Sequence, residues 1–62
     1  MDSKKAEEMA TQFLQQHHSV LSIKKINLEN GIWLVEVMVS PFGERTKKVR
    51  IDAKTGKIIG WQ

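Results

Sequence analysis

The sequence predicts an α+β domain in which one N-terminal helix packs on one face of a three- to four-stranded antiparallel meander. Three observations predict it. Apolar residues recur at helical spacing over the first sixteen positions, an Asn-Gly pair divides two β-rich runs, and an Asp-Ala-Lys-Thr-Gly-Lys segment divides two more near the end. The whole chain, 1–62, reads as a single domain, without repeats, linkers or low-complexity stretches.

The helix is marked by Ala6, Met9, Ala10, Phe13, Leu14 and His17, which share one face at three- and four-residue intervals. Ser3 or Asp2 suits the N-cap, Glu7 and Glu8 lie toward the positive end of the dipole, and the helix is expected to reach Gln16 or His18. Val20 to Leu28 and Ile32 to Val39 then read as strands around Asn30-Gly31, because both turn residues tolerate the positive φ of a type I′ turn. A two-residue turn sets Leu28 opposite Trp33, Ile26 opposite Val35 and Lys25 opposite Glu36.

Ser40-Pro41-Phe42-Gly43-Glu44-Arg45 ends the second strand, and a third is expected from Thr46 to Ala53. Its inward residues should be Val49 and Ile51, set against Val37 and Val35 across a loop of odd length, which puts Arg50 beside Glu36 unless a bulge intervenes. Asp52 should cap backbone amides in the last turn, with a local bond from Thr55 and positive φ at Gly56, before Ile58 and Ile59 form a short fourth strand.

The order of helix, hairpin and strand, closed by Val49-Arg50-Ile51-Asp52-Ala53-Lys54-Thr55-Gly56-Lys57-Ile58-Ile59, resembles a PepSY domain, whose closing signature is apolar-x-apolar-Asp-Ala-x-Thr-Gly-x-apolar. The middle strand Trp33-Leu34-Val35-Glu36-Val37 is also similar to that family, so the likeness spans nearly the whole chain. The resemblance implies a non-catalytic module associated with peptidase propeptides and extracytoplasmic proteins, which inhibits or regulates proteases without a cofactor. It carries over no catalytic set, since the matched Asp52, Ala53, Thr55 and Gly56 are turn formers.

Composition narrows the function classes. A chain of 62 residues buries only about 60% of its unfolded surface, which disfavours a deep catalytic cavity. With no cysteine there are no disulfides or thiolate-held metals, and packing or self-association must supply the stability. The charged start, Met1-Asp2-Ser3-Lys4-Lys5-Ala6-Glu7-Glu8, lacks the apolar core of a signal peptide, and no run is long enough for a membrane span. A soluble cytoplasmic protein is expected, or an extracytoplasmic one if the sequence is an excised domain.

Neither catalysis nor metal binding is expected. Ser3, Ser19, Ser22 and Ser40 have no base partner by spacing, and adjacent His17 and His18 would point about 100° apart on a helix. The histidines are expected on a solvent face at the helix C-terminus.

The sheet face opposite the helix is the candidate site. The expected rows are Lys25, Glu36 and Arg50, then Met38, Lys48 and Trp61, then Leu34 with Asp52. Leu34, Met38, Ile59 and Trp61 then form an apolar patch rimmed by Lys48 and Arg50, suited to another protein or to a second copy in a homodimer. Phe42, at the tip of its Pro-Phe-Gly loop, is a possible anchor. The alternative is nucleic-acid binding, favoured by a net charge of +3 and by Lys47, Lys48, Arg50, Lys54 and Lys57, with Trp61 as the stacking aromatic. Lys47 should point away from Lys48 and Arg50, and Trp33 should be core, covering Leu28 and the helix around Phe13.

Overall fold

A computed structural model describes residues 2–40 and 45–62. Helix α1 covers Ser3–Leu14, and strands β1 (Ser19–Glu29), β2 (Ile32–Ser40), β3 (Arg45–Asp52) and β4 (Ile58–Trp61) form one antiparallel sheet in the order β1-β2-β3-β4. The α+β class and the four-stranded meander are as the sequence predicts. The Pro41-Phe42-Gly43-Glu44 break and the Phe42 anchor lie outside the described residues.

Asp2 is the N-cap, its Oδ1 accepting the Lys5 amide at 2.9 Å. The helix ends at Leu14, earlier than the expected Gln16 or His18, and in the turn that follows the amides of His17 and His18 both bond to the Leu14 carbonyl, at 3.2 and 3.0 Å. That turn redirects the chain into β1. Ala6, Ala10 and Leu14 are buried on the inner face of α1. The two alanines, one turn apart, let the helix backbone approach the sheet closely, while Met9 and Phe13 pack at its flanks.

Asn30 and Gly31 have φ of 51° and 75°, as a type I′ turn requires, and the expected pairs Leu28–Trp33, Ile26–Val35 and Lys25–Glu36 all form. Beyond them β1 departs from simple alternation. Its apolar residues Val20, Ile23 and Ile26 are three apart, and strict period two from Ile26 would turn Lys24 and Ser22 inward instead. Register shifts within Val20–Ser22 and Ile23–Lys25 set Leu21 and Lys24 outside the pairing, so Val20, Ile23 and Ile26 meet Val39, Val37 and Val35.

Strand β3 corrects the expected pairing by two residues. Val49 lies opposite Val35 and Ile51 opposite Trp33, so Arg50 neighbours Leu34, and Lys48 is the residue beside Glu36. Val39 pairs with Arg45 across five intervening residues, an odd number as expected. The shift is even, so every β3 side chain keeps its predicted face. Val35, Val37, Val39, Val49 and Ile51 are fully buried against Ala6, Ala10 and Leu14.

The last turn follows its sequence closely. Asp52 Oδ1 accepts the amides of Lys54 and Thr55 at 2.8 and 3.3 Å, Thr55 Oγ1 accepts that of Lys57 at 3.3 Å, and Gly56 has φ 74°. The Ala53 amide donates to the Gly31 carbonyl at 2.9 Å, tying the two turns together. Strand β4 extends past Ile59 to Trp61, and Gln62 exchanges both backbone bonds with Lys48, at 2.8 and 2.9 Å.

Because Ala10 is fully buried where the helix meets the sheet, Ala10→Leu should destabilise the protein by about 1–3 kcal/mol through overpacking. The exposed Lys4→Leu should leave stability within about 0.5 kcal/mol. Urea unfolding of both variants checks the seating of α1; equal midpoints would contradict it.

Candidate functional site

The sheet presents two chemically different surfaces. On the outer face, away from α1, the rows run Glu29–Ile32–Asp52, Asn27–Leu34–Arg50–Gly60, Lys25–Glu36–Lys48 and Ser22–Met38–Thr46. Glu36 therefore sits between two lysines, and Leu34 is flanked by Asn27 and Arg50. The Arg50 guanidinium lies over Gly60, where a Cβ would come within 3.2 Å of it. A residue without a side chain at that position makes room for the arginine to lie flat along the sheet.

Of the six predicted patch residues, Leu34, Lys48 and Arg50 come together, lining with Gln62 a shallow depression of about 230 Å³. Met38 shares their face but is one row beyond Glu36. Ile59 is 54% exposed and borders a neighbouring depression formed by Ile32, Asp52, Ala53 and the Asn30-Gly31 turn.

Trp61 is not part of this patch. With Ile58 opposite Ile51, unbroken pairing would bring Trp61 opposite Lys48 on the outer face, which is where simple alternation predicts it. A register shift inserts one residue between those points, so Gly60 meets Arg50 and Trp61 meets Val49. One residue inverts the face, and the indole points to the helix side. There it packs edge-on against Phe13, with ring centroids 5.9 Å apart and planes at 61°, and Lys47 Nζ is 5.9 Å from its ring centroid. Lys47 lies opposite Val37 on the inner face, away from Lys48 and Arg50 as expected.

Two further expectations change with this geometry. Trp33 packs on the core opposite Leu28, as anticipated, but the aromatic partner of Phe13 is Trp61. His17 is exposed, whereas His18 is partly buried and its Nδ1 has no hydrogen-bond partner among the described residues, so it does not belong to a solvent face. Phe13, Leu14, Gln16, His17, His18 and Trp61 enclose a mainly apolar cavity of about 140 Å³. Sequence reasoning missed it because it depends on the β4 register shift. The adjacent Ile58-Ile59 pair, which alternation cannot place on one face, and Gly60 inside the strand are the signals of that shift in the sequence.

Among the described residues no group of three or more His, Cys, Asp or Glu is placed to hold a metal ion, and no helix is long and apolar enough to cross a membrane. No known family model, curated protein or solved structure matches the chain. The PepSY resemblance therefore rests on the strand from Trp33 to Val37 and the closing run from Val49 to Ile59.

The Phe13–Trp61 pair should show a coupling of about 0.5–1.5 kcal/mol in a double-mutant cycle with Phe13→Leu and Trp61→Leu. Additive losses in urea unfolding would place the indole elsewhere.

Proposed function

We propose that this chain is a non-enzymatic binding module for another protein, engaged through the outer face of its sheet. The observation that supports this reading is the juxtaposition of Leu34 with Lys48 and Arg50 on a sheet face over which no described element packs. Ile32, Met38 and Ile59 extend the apolar content, and Lys25, Glu36 and Asp52 supply charges of both signs that would fix orientation. Strand spacing and rise give this face roughly 500 Å², and roughly twice that buried in a complex, which is the range of reversible rather than obligate association.

The PepSY resemblance gives the partner class: a peptidase that the module restrains or regulates. No cofactor enters this reading. A homodimer through the same face is the alternative occupant, and nucleic acid is the alternative ligand. The second alternative is weakened by Trp61, since an indole on the helix side cannot stack bases over Lys48 and Arg50.

The test uses Leu34→Asp with Met38→Asp as the variant, both positions being outside the buried core. A peptidase inhibited or bound by the wild type should lose at least about tenfold in affinity to the variant, with unchanged circular dichroism. Equal binding by the two proteins overturns the assignment of this face. Binding that falls steeply between about 50 and 200 mM salt, with an oligonucleotide as ligand, favours the nucleic-acid alternative instead.

A further inference from the structure

We propose a second docking site on the other side of the sheet. The corner between the C-terminal end of α1 and the free edge of β4 takes an extended, acidic segment of a partner protein, anchored by one side chain the size of leucine or phenylalanine.

The edge supplies the first argument. Strand β4 is outermost in the sheet, with β3 as its one neighbour among the described residues. Gln62 makes both of its backbone bonds with Lys48, so antiparallel alternation turns the Trp61 N–H and C=O away from β3. An unpaired donor and acceptor at a sheet edge are best satisfied by another extended backbone. The opposite edge is defended differently, since β1 is bent by two register shifts and carries Lys24 and Lys25.

The cavity supplies the second. Helix α1 rests mainly on β1 and β2, which leaves the inner side of β4 open near Trp61. The space of about 140 Å³ between Phe13, Leu14, His18 and Trp61 has a residue of the edge strand, Trp61, in its wall. Apolar cavities of about 150 Å³ accept a benzene-sized group, so the volume fits one bulky side chain of an added strand.

Charge selects the occupant. The inner-face positions of β3 are Arg45, Lys47, Val49 and Ile51, and those of β4 are Ile58 and Trp61, so the corner carries cations and no acid among these positions. The strand acids Glu29, Glu36 and Asp52 all lie on the outer face. Two copies joined edge to edge would bring their Lys47–Trp61 corners together and set like charges against each other. An acidic segment gains where a second copy loses.

The experiment is amide and indole NMR of the whole chain titrated with the blocked hexapeptide acetyl-Glu-Val-Phe-Val-Glu-Glu-amide. Shifts should centre on Trp61, Phe13 and His18. A lysine-for-glutamate peptide should bind about threefold to fivefold more weakly for each ion pair removed. Backbone N-methylation should cost about fivefold per hydrogen bond, and alanine in place of the phenylalanine more than about tenfold. Lys47→Glu, at a site outside the core, should reverse the preference between the acidic and basic peptides.

Absence of shifts at millimolar peptide overturns the proposal. So does equal binding of the N-methylated peptide, which would make the cavity a site for a ring alone. Concentration-dependent shifts at Trp61 without peptide would assign the edge to a second copy and equally refute it. None of these readouts depends on Leu34 or Met38, so this site and the outer-face reading stand or fall separately.

Discussion

The two-residue Asn30-Gly31 turn is the constraint on which the remaining structure depends. Side chains on a strand alternate with a period of two, so a turn that fixes one pair fixes the face of every residue in β2. With Glu29 opposite Ile32, the residues Val35, Val37 and Val39 lie under the helix, and Ile32, Leu34, Glu36 and Met38 lie outside. A slip of one position would bury Glu36 and expose three valines. The Ala53 amide bonds to the Gly31 carbonyl, so the second tight turn is braced against the first and the ends of three strands are held in common.

Seen from the core, the design is frugal. Five β-branched side chains in the sheet are fully buried against two alanines and one leucine from the helix. Branched residues pack well on a pleated surface and lose little rotamer freedom there. Alanine on the facing helix keeps the layers close, so few large side chains are needed to fill the space. The larger groups, Met9, Phe13, Trp33 and Trp61, are pushed to the margins, where they are only partly buried or half exposed. Among the described residues the aromatic surface therefore lies at the margins of the core.

How far the sequence discloses this arrangement depends on whether each register has a local cause. The first hairpin is legible because its turn type follows from Asn30 and Gly31 alone. The Asp52 turn is legible because Asp52, Thr55 and Gly56 each have a defined backbone role. The pairing of β2 with β3 is legible in parity but not in position, since a longer connection with proline and glycine admits several odd lengths. Three register shifts lie beyond what alternation discloses. The two in β1 leave the predicted core intact because its apolar residues are already three apart, whereas the one in β4 relocates Trp61 and with it the composition of both surfaces.

That relocation separates two kinds of chemistry that would otherwise be mixed. Without it, an indole would share the outer face with Lys48 and Arg50, and the helix side would end in a bare corner beside Lys47. With it, the outer face keeps aliphatic groups among charges of both signs, while the inner corner gathers an aromatic pair with cations. A face of mixed charge is matched by the shape and charge order of one folded surface. A cationic edge with an open backbone and a single cavity is matched by the composition of a short strand. The inserted residue at the start of β4 is thus what gives so small a sheet two surfaces of different chemistry.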